Sequence, residues 1–359
     1  MNNNEAPGTA SHRIRVLIAD DSMVAREMLA QILSSDPTIE VVGQATNGEE
    51  AVEMVAHLRP DLVTMDVHMP KMDGLQATEQ IMAYNPTPIL VVSSSVHGEG
   101  MGRAFDALAI GALEVIKKPE PKDWEALQAI GLDIIRRVKI LSRVRVITHI
   151  RGRRAPAHRG TGPRTEERAP VRGMQLVAIG SSTGGPSALL SVLGRLGKGF
   201  PLPIVVAQHI AEGFVPGLCT WLDAGCKVRV VPAADGMQVS PGTVYFAATG
   251  SNMEIDGATI RFTRPQPGQL YIPSADTLFD SVARSYGPHA VGVLLTGMGA
   301  DGALGLKRLH DLGAPTICQD EATSTVWGMP KAGVDLGAAR HVLPVHEIAA
   351  EIERTVGCA

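Results

Sequence analysis

Between Ile14 and Lys118, short apolar runs alternate with amphipathic stretches, and that alternation leaves few folds open. IRVLIAD, VVGQAT, LVTMD, PILVVSS and LEVIKK have strand length. VAREMLAQIL, GEEAVEMVAHL, GLQATEQIMAY and GRAFDALAIGA lie between them with apolar residues at helical spacing. A fifth helix is predicted from about Asp123 to Ser142, with Leu127, Ile130, Ile134, Ile135, Val138 and Leu141 at that spacing. Five apolar strands alternating with five helices predict a doubly wound α/β domain over residues 13–140, its parallel sheet covered on both faces.

The pattern then breaks. Residues 151–172 hold seven arginines against two glutamates, with three prolines and three glycines. Such a stretch buries too little surface to offset its ordering entropy, so 141–173 is assigned as a basic linker. It lacks the interleaved aromatics of a nucleic-acid-binding arm. From 174 to 356 the alternation returns in LVAIG, IVVAQ, VRVVP, TVYFAA, VGVLLTG and PTICQD. Helices are predicted at ALLSVLGRL, ADTLFDSVARSYG and ALGLKRLHDLG, and a last one over about His346–Thr355. MEIDGATIRFTR reads as a hairpin turning at Asp256-Gly257 in a type I′ turn. A second domain with a Rossmann-like parallel sheet is therefore expected.

Composition narrows the functional classes. The 359 residues are 45% hydrophobic and 19% charged, with formal net charge −4, which disfavours a nucleic-acid partner. No apolar run reaches the roughly 18 residues of a bilayer span, and no signal-peptide core follows Met1, so a cytoplasmic protein without membrane insertion is expected. Cys219, Cys226, Cys318 and Cys358 show no metal spacing and read as small buried thiols.

In open parallel sheets, function gathers at the carboxyl ends of strands. In the first domain those ends carry Asp20-Asp21, Asp66, Ser93 and Lys117-Lys118-Pro119. Three converging carboxylates repel unless a hard cation sits among them, and oxygen ligands with room for waters suit Mg²⁺. A hydroxyl and an ammonium beside them can hold phosphoryl oxygens. DDS, MDVHMPKMDG, VSS and KKP, in this order, resemble the receiver domain of two-component response regulators. The resemblance implies Asp66 as phosphoacceptor, and Asp20, Asp21, Asp66 and the Val67 carbonyl as Mg²⁺ ligands. It further implies Ser93 and Lys118 as phosphoryl contacts, with a cis bond before Pro119.

The second domain opens on LVAIGSSTGGP. Gly180-Ser181-Ser182-Thr183-Gly184 fits G-x-S-x-G between a strand and a helix, the setting of a nucleophile elbow with Ser182 at its apex. The same turn could cradle a phosphate on the helix N-terminus, although GK[ST] and G-x-G-x-x-G are both missing. His209 ends the next strand and Asp301 follows Gly297-Met298-Gly299 beyond another, so a general base and an orienting acid are available. Asp276 and Asp280 are the rival acids. Asp301 alone would also suit a helix N-cap.

GSSTGGP, VVAQHI, PSADTLF, LLTGMGADG and EATSTVWGMP together resemble the chemotaxis protein-glutamate methylesterase (CheB) family, over about residues 13–355. That resemblance implies Ser182 as nucleophile, His209 as base and Asp301 as acid, with Thr183 and Met298 on the oxyanion side and no cofactor for the hydrolase. Gly184-Gly185 would let a receptor helix approach. The implied reaction hydrolyses glutamate γ-methyl esters, and deamidates glutamines, on chemoreceptor cytoplasmic helices; a chemotaxis histidine kinase would supply the phosphoryl group. A receiver on an inactive binding module, a transcriptional regulator and a nucleotide-binding domain are the alternatives.

Overall fold

The computed structural model describes residues 13–94, 99–119, 124–146 and 173–358; most of the basic linker, 147–172, lies outside the described residues. The chain falls into two compact units, within 1–94 with 110–150 and within 95–109 with 151–359.

The five-stranded sheet is built from β1 (Ile14–Ala19), β2 (Ile39–Ala45), β3 (Leu62–Met65), β4 (Ile89–Ser93) and β5 (Glu114–Lys117), which alternate along the chain with α1 (Met23–Ser34), α2 (Gly48–Leu58), α3 (Gly74–Tyr84), α4 (Glu99–Ile110) and α5 (Trp124–Leu141). Its order is β2-β1-β3-β4-β5, parallel throughout. Helix starts are set by side chains that accept orphan amides. Ser22 caps α1, Asn47 caps α2, and Asp73 caps α3 in a reciprocal box with Gln76. Gly74 follows because a Cβ there would stand 1.9 Å from the Asp66 carbonyl oxygen. The strand order reverses between β1 and β3, which sets Asp20 beside Asp66.

In the second unit the chain runs β6 (Leu176–Ser181), α6 (Gly185–Leu193), β7 (Ile204–Gln208), α7 (Val215–Gly225), β8 (Arg229–Pro232), β9 (Thr243–Phe246), β10 (Asn252–Asp256), β11 (Thr259–Thr263) and α8 (Ala275–Tyr286). It continues through β12 (Ala290–Leu294), α9 (Ala303–Asp311), β13 (Thr316–Gln319), α10 (Met329–Asp335), β14 (His341–Leu343) and α11 (Val345–Val356). The seven-stranded parallel sheet has the order β14-β13-β12-β6-β7-β9-β8, with β10-β11 a separate antiparallel ribbon. Leu278 and Phe279 of α8 and Leu306 and Leu309 of α9 are fully buried in the core with Leu176, Val205 and Leu294 of the sheet. After β6 the chain adds β7 on one side, and β12 later lands on the other. The carboxyl end of β6 is therefore the switch point of this sheet.

Four expectations need correction. The hairpin turns at Gly257-Ala258, since Asp256 pairs with Thr259; Gly257 alone has a left-handed φ, +56°, as at the first centre of a type II′ turn. Among the described residues the cis peptide bond is Ile272–Pro273; the Lys118–Pro119 bond is not cis, in line with the trans preference of X–Pro bonds. Cys219 and Cys318 are buried, but Cys226 is half-buried and Cys358 exposed, because they lie at the ends of α7 and α11. Helices α7 and α10 were not expected; the first holds Pro216, Gly217 and Gly225, and the second has only seven residues.

Candidate active site and acidic pocket

Ser181 and Ser182 have opposite fates at the end of β6. Ser181 is fully buried and donates from Oγ to Gln208 Oε1 at 2.6 Å, whereas Ser182 is half-buried at the apex of the turn. Gln208 holds this turn and the next strand end together. Its Nε2 donates to the carbonyls of Ser182 and His209 at 2.9 and 2.8 Å. A third tie is the Ser182 amide, which donates to Thr296 O at 3.0 Å. Ser182 also packs on Gly297, where a Cβ would stand 2.7 Å from the serine Cβ.

Glycines 184 and 185 are required from within. Gly184 has φ +75°, and a Cβ on it would stand 2.3 Å from Thr325 Oγ1; one on Gly185 would stand 2.1 Å from Gln208 Oε1. The space a Cβ would need at either position is thus filled by this chain's own side chains. Thr325 belongs to the EATSTVWGMP run, which Thr296 pins by accepting the Val326 amide at 3.0 Å on its Oγ1. The same hydroxyl donates to the Thr183 carbonyl at 2.9 Å. Thr183 is buried and Met298 half-buried, on the two loops that flank Ser182.

His209 shares a hydrogen bond with Asp301 between Nε2 and Oδ2 at 2.7 Å, leaving Nδ1 buried and without a hydrogen-bond partner among the described residues. Asp301 does not cap α9; Gly302 occupies that cap. Instead it accepts from the first amides of α8, Ala275 N at 2.6 Å and Asp276 N at 3.1 Å, and from Ser274 Oγ at 2.8 Å. Burial pushes the Asp301 carboxyl up, but the His209 contact and these amides outweigh it and hold the group below its ordinary value. A charged carboxylate at a helix N-terminus is the stable form. The rivals are spoken for elsewhere. Asp276 accepts the Gly305 amide at 2.8 Å, and Asp280 pairs with Arg308.

The acidic pocket of the first unit brings Asp20, Asp21 and Asp66 together, with one oxygen from each within 4.8 Å of the others. Lys118 Nζ bridges two of them, 2.8 Å from Asp20 and 2.9 Å from Asp66. Burial lifts the Asp66 carboxyl above its usual range despite the pull of that ammonium. Burial works against the Lys118 charge, yet the two carboxylates hold its pKa above the ordinary value. Ser93 is fully buried at the end of β4, paired with Lys117 in the ladder. The Val67 carbonyl accepts the Gly74 amide at 2.9 Å. Three hard oxygen donors, one of them on exposed Asp21, fit a small divalent cation that keeps some of its waters.

With this geometry in place, comparison with known proteins is specific. Residues 16–130 match the response regulator receiver domain and residues 177–352 the CheB methylesterase domain. The protein-glutamate methylesterase/protein-glutamine glutaminase 1 of Syntrophus aciditrophicus is 42% identical over 357 residues, 96% of this chain and 99% of that one. The chain belongs to the CheB methylesterase family. A second relative, protein-glutamate methylesterase/protein-glutamine glutaminase 2 of Anaeromyxobacter dehalogenans, is 44% identical over 93% of this chain and 95% of its own. The solved CheB methylesterase catalytic domain of Thermotoga maritima is 35% identical over 51% of this chain and 99% of that one, with TM-score 0.48.

Several residues that shape this candidate site are not singled out by the sequence. Ser274 had a signal, since it precedes a predicted helix in the position of an N-cap. Gln208, Thr296 and Asn252 had none. Each is a polar residue in or just beyond a strand, buried at 0–3% exposure, and only its partners reveal its part. No helix among the described residues is long and apolar enough to cross a membrane.

Proposed function

We propose that this chain is a phosphorylation-regulated hydrolase of glutamate γ-methyl esters, and of glutamine side-chain amides, on chemoreceptor cytoplasmic helices. The observation that carries the reading is the convergence of Ser182, His209 and Asp301 at three neighbouring strand ends, with His209 and Asp301 in contact at 2.7 Å.

The chemistry follows from the groups present. Ser182 Oγ attacks the side-chain carbonyl while His209 Nδ1 takes its proton. Asp301 keeps the other proton on Nε2 and steadies the imidazolium. The oxyanion forms beside Thr183 and the Met298 amide, with the N-terminus of α6 behind it. His209 returns its proton to the departing methoxide or amide, releasing methanol or ammonia and leaving an acyl-serine. Water, deprotonated by His209, then cleaves the acyl-serine to a carboxylate and restores Ser182.

Asp66 is the phosphoacceptor of this reading, and a histidine kinase is its phosphodonor. Asp20, Asp21 and Asp66, with the Val67 carbonyl, would hold Mg²⁺, which when bound would offset negative charge on phosphoryl oxygens. Ser93 and Lys118 hold the remaining oxygens, and Lys118 exchanges a carboxylate for a phosphoryl partner.

The test is methanol release from a methylated receptor fragment, with and without a small-molecule phosphodonor and Mg²⁺. Release that rises with the phosphodonor is the expected result. A protein that binds the fragment without releasing methanol in either condition would be a binding module, and the hydrolase reading would fall.

A further inference from the structure

We infer that Tyr271 is a positioning residue for His209, acting on the face of the imidazole while Asp301 acts on its edge; this rests on the esterase reading above. The two rings lie stacked, centroids 4.8 Å apart and planes inclined by 8°, within the range of an offset aromatic pair. The contact answers a need that Asp301 alone leaves unmet. The terminal torsion of a histidine is broad, so a ring held by one edge still rocks about that hydrogen bond. A flat partner on its face resists that motion and keeps Nδ1 in line.

Tyr271 is itself held at both ends. Its carbonyl accepts Gln269 Nε2 at 3.1 Å, and the Gln269 and Asn252 amides exchange hydrogen bonds of 2.9 and 3.1 Å. Asn252 Oδ1 also accepts the Ser274 amide at 3.0 Å, and Ser274 Oγ donates to Asp301 at 2.8 Å. One hydrogen-bonded chain thus joins the residue on the imidazole's face to the residue on its edge. At the other end, the phenol rests against Gly299. A Cβ on Gly299 would stand 2.3 Å from Tyr271 Oη, and its φ of +89° independently favours glycine. Gly299 follows Met298, so the ring that braces the base also lies beside the loop on the oxyanion side.

Two variants of the full chain test this, Tyr271→Phe, which keeps the ring, and Tyr271→Leu, which removes it. Each is read by methanol release and by the NMR shift of the His209 ring protons. Tyr271→Leu should lower kcat by about 10- to 100-fold with KM within about twofold, and should lose the upfield ring-current shift. Tyr271→Phe should restore both. A Leu variant with parental kcat and a moved His209 resonance would overturn the inference, because the stack would exist without positioning the base. Loss in the Phe variant as deep as in the Leu variant would overturn it too, assigning the effect to the phenol oxygen. The NMR readout needs no turnover, so a parent that released no methanol would remove the esterase reading and still report on the stack.

Discussion

Asp301 meets His209 through Nε2 of the imidazole, at 2.7 Å, and leaves Nδ1 buried without a hydrogen-bond partner among the described residues. The trypsin-like arrangement uses the two nitrogens the other way round. What a triad requires is that one nitrogen be held by a carboxylate and the other be free for the serine. The parallel sheet places His209 and Asp301 beyond strands on opposite sides of β6.

Replacing Asp301 by Asn should therefore damage two things. Each Asp301 oxygen accepts two hydrogen bonds, so whichever position becomes an NH₂ faces donors. The expected result is a fall in kcat of about 10³–10⁴-fold and a stability loss of about 1–3 kcal/mol. Steady-state methanol release and urea unfolding measure the two. Retained kcat would return the acid role to another group.

Ser274→Ala separates support from chemistry. The serine caps α8 through the Thr277 amide at 3.2 Å and donates to Asp301. Loss of a cap costs about 1 kcal/mol, so the urea midpoint should fall clearly while kcat drops less than in Asp301→Asn. A kcat loss equal to that of Asp301→Asn would make Ser274 part of the acid itself.

Asp66→Asn removes the carboxylate that the proposal phosphorylates. Stimulation of methanol release by acetyl phosphate should disappear. An undiminished stimulation would place the acceptor on another residue.

Gly184→Ala tests whether the glycine pair serves the elbow or a partner. The added methyl meets Thr325, and its φ of +75° strains any side chain. A destabilisation of about 1–3 kcal/mol is expected without any receptor present. A variant as stable as the parent, but weaker in receptor binding, would restore the role in receptor approach.

Asp276 sets a pH dependence. Burial pushes its carboxyl from 3.8 up to about 6, with the Asp301 and Asp280 charges adding to burial and the Gly305 amide opposing. Between those values the folded chain holds a proton that the unfolded chain has released, so stability falls as pH rises through about 4 to 6. The contribution is at most about 3 kcal/mol, from a shift of about two units. Asp276→Asn keeps the acceptor for Gly305 and removes the slope. Its urea midpoint should gain on the parent from pH 4 to 6 and then hold level; a constant difference would assign the titration elsewhere.

Sequence alone determined the repeating strand-helix order, hence two parallel sheets, and the residues standing at their carboxyl ends. Hydrophobic periodicity and glycine turns are local properties, so Asp20, Asp66, Ser182, His209 and Asp301 could all be found one strand at a time. That Ser182 rather than Ser181 stands at the apex of the turn was legible too, since it follows from spacing within one turn. Tertiary structure alone decided which carboxylate holds the imidazole. Asp276, Asp280 and Asp301 are chemically alike, and only the pairing of β12 with β6 and the packing of α8 beside it turn Asp301 toward His209. It also decided what Gly184, Gly185 and Tyr271 lie against. Their neighbours, Thr325, Gln208 and His209, are 23 or more residues away along the chain, and a contact of that range has no trace in local pattern.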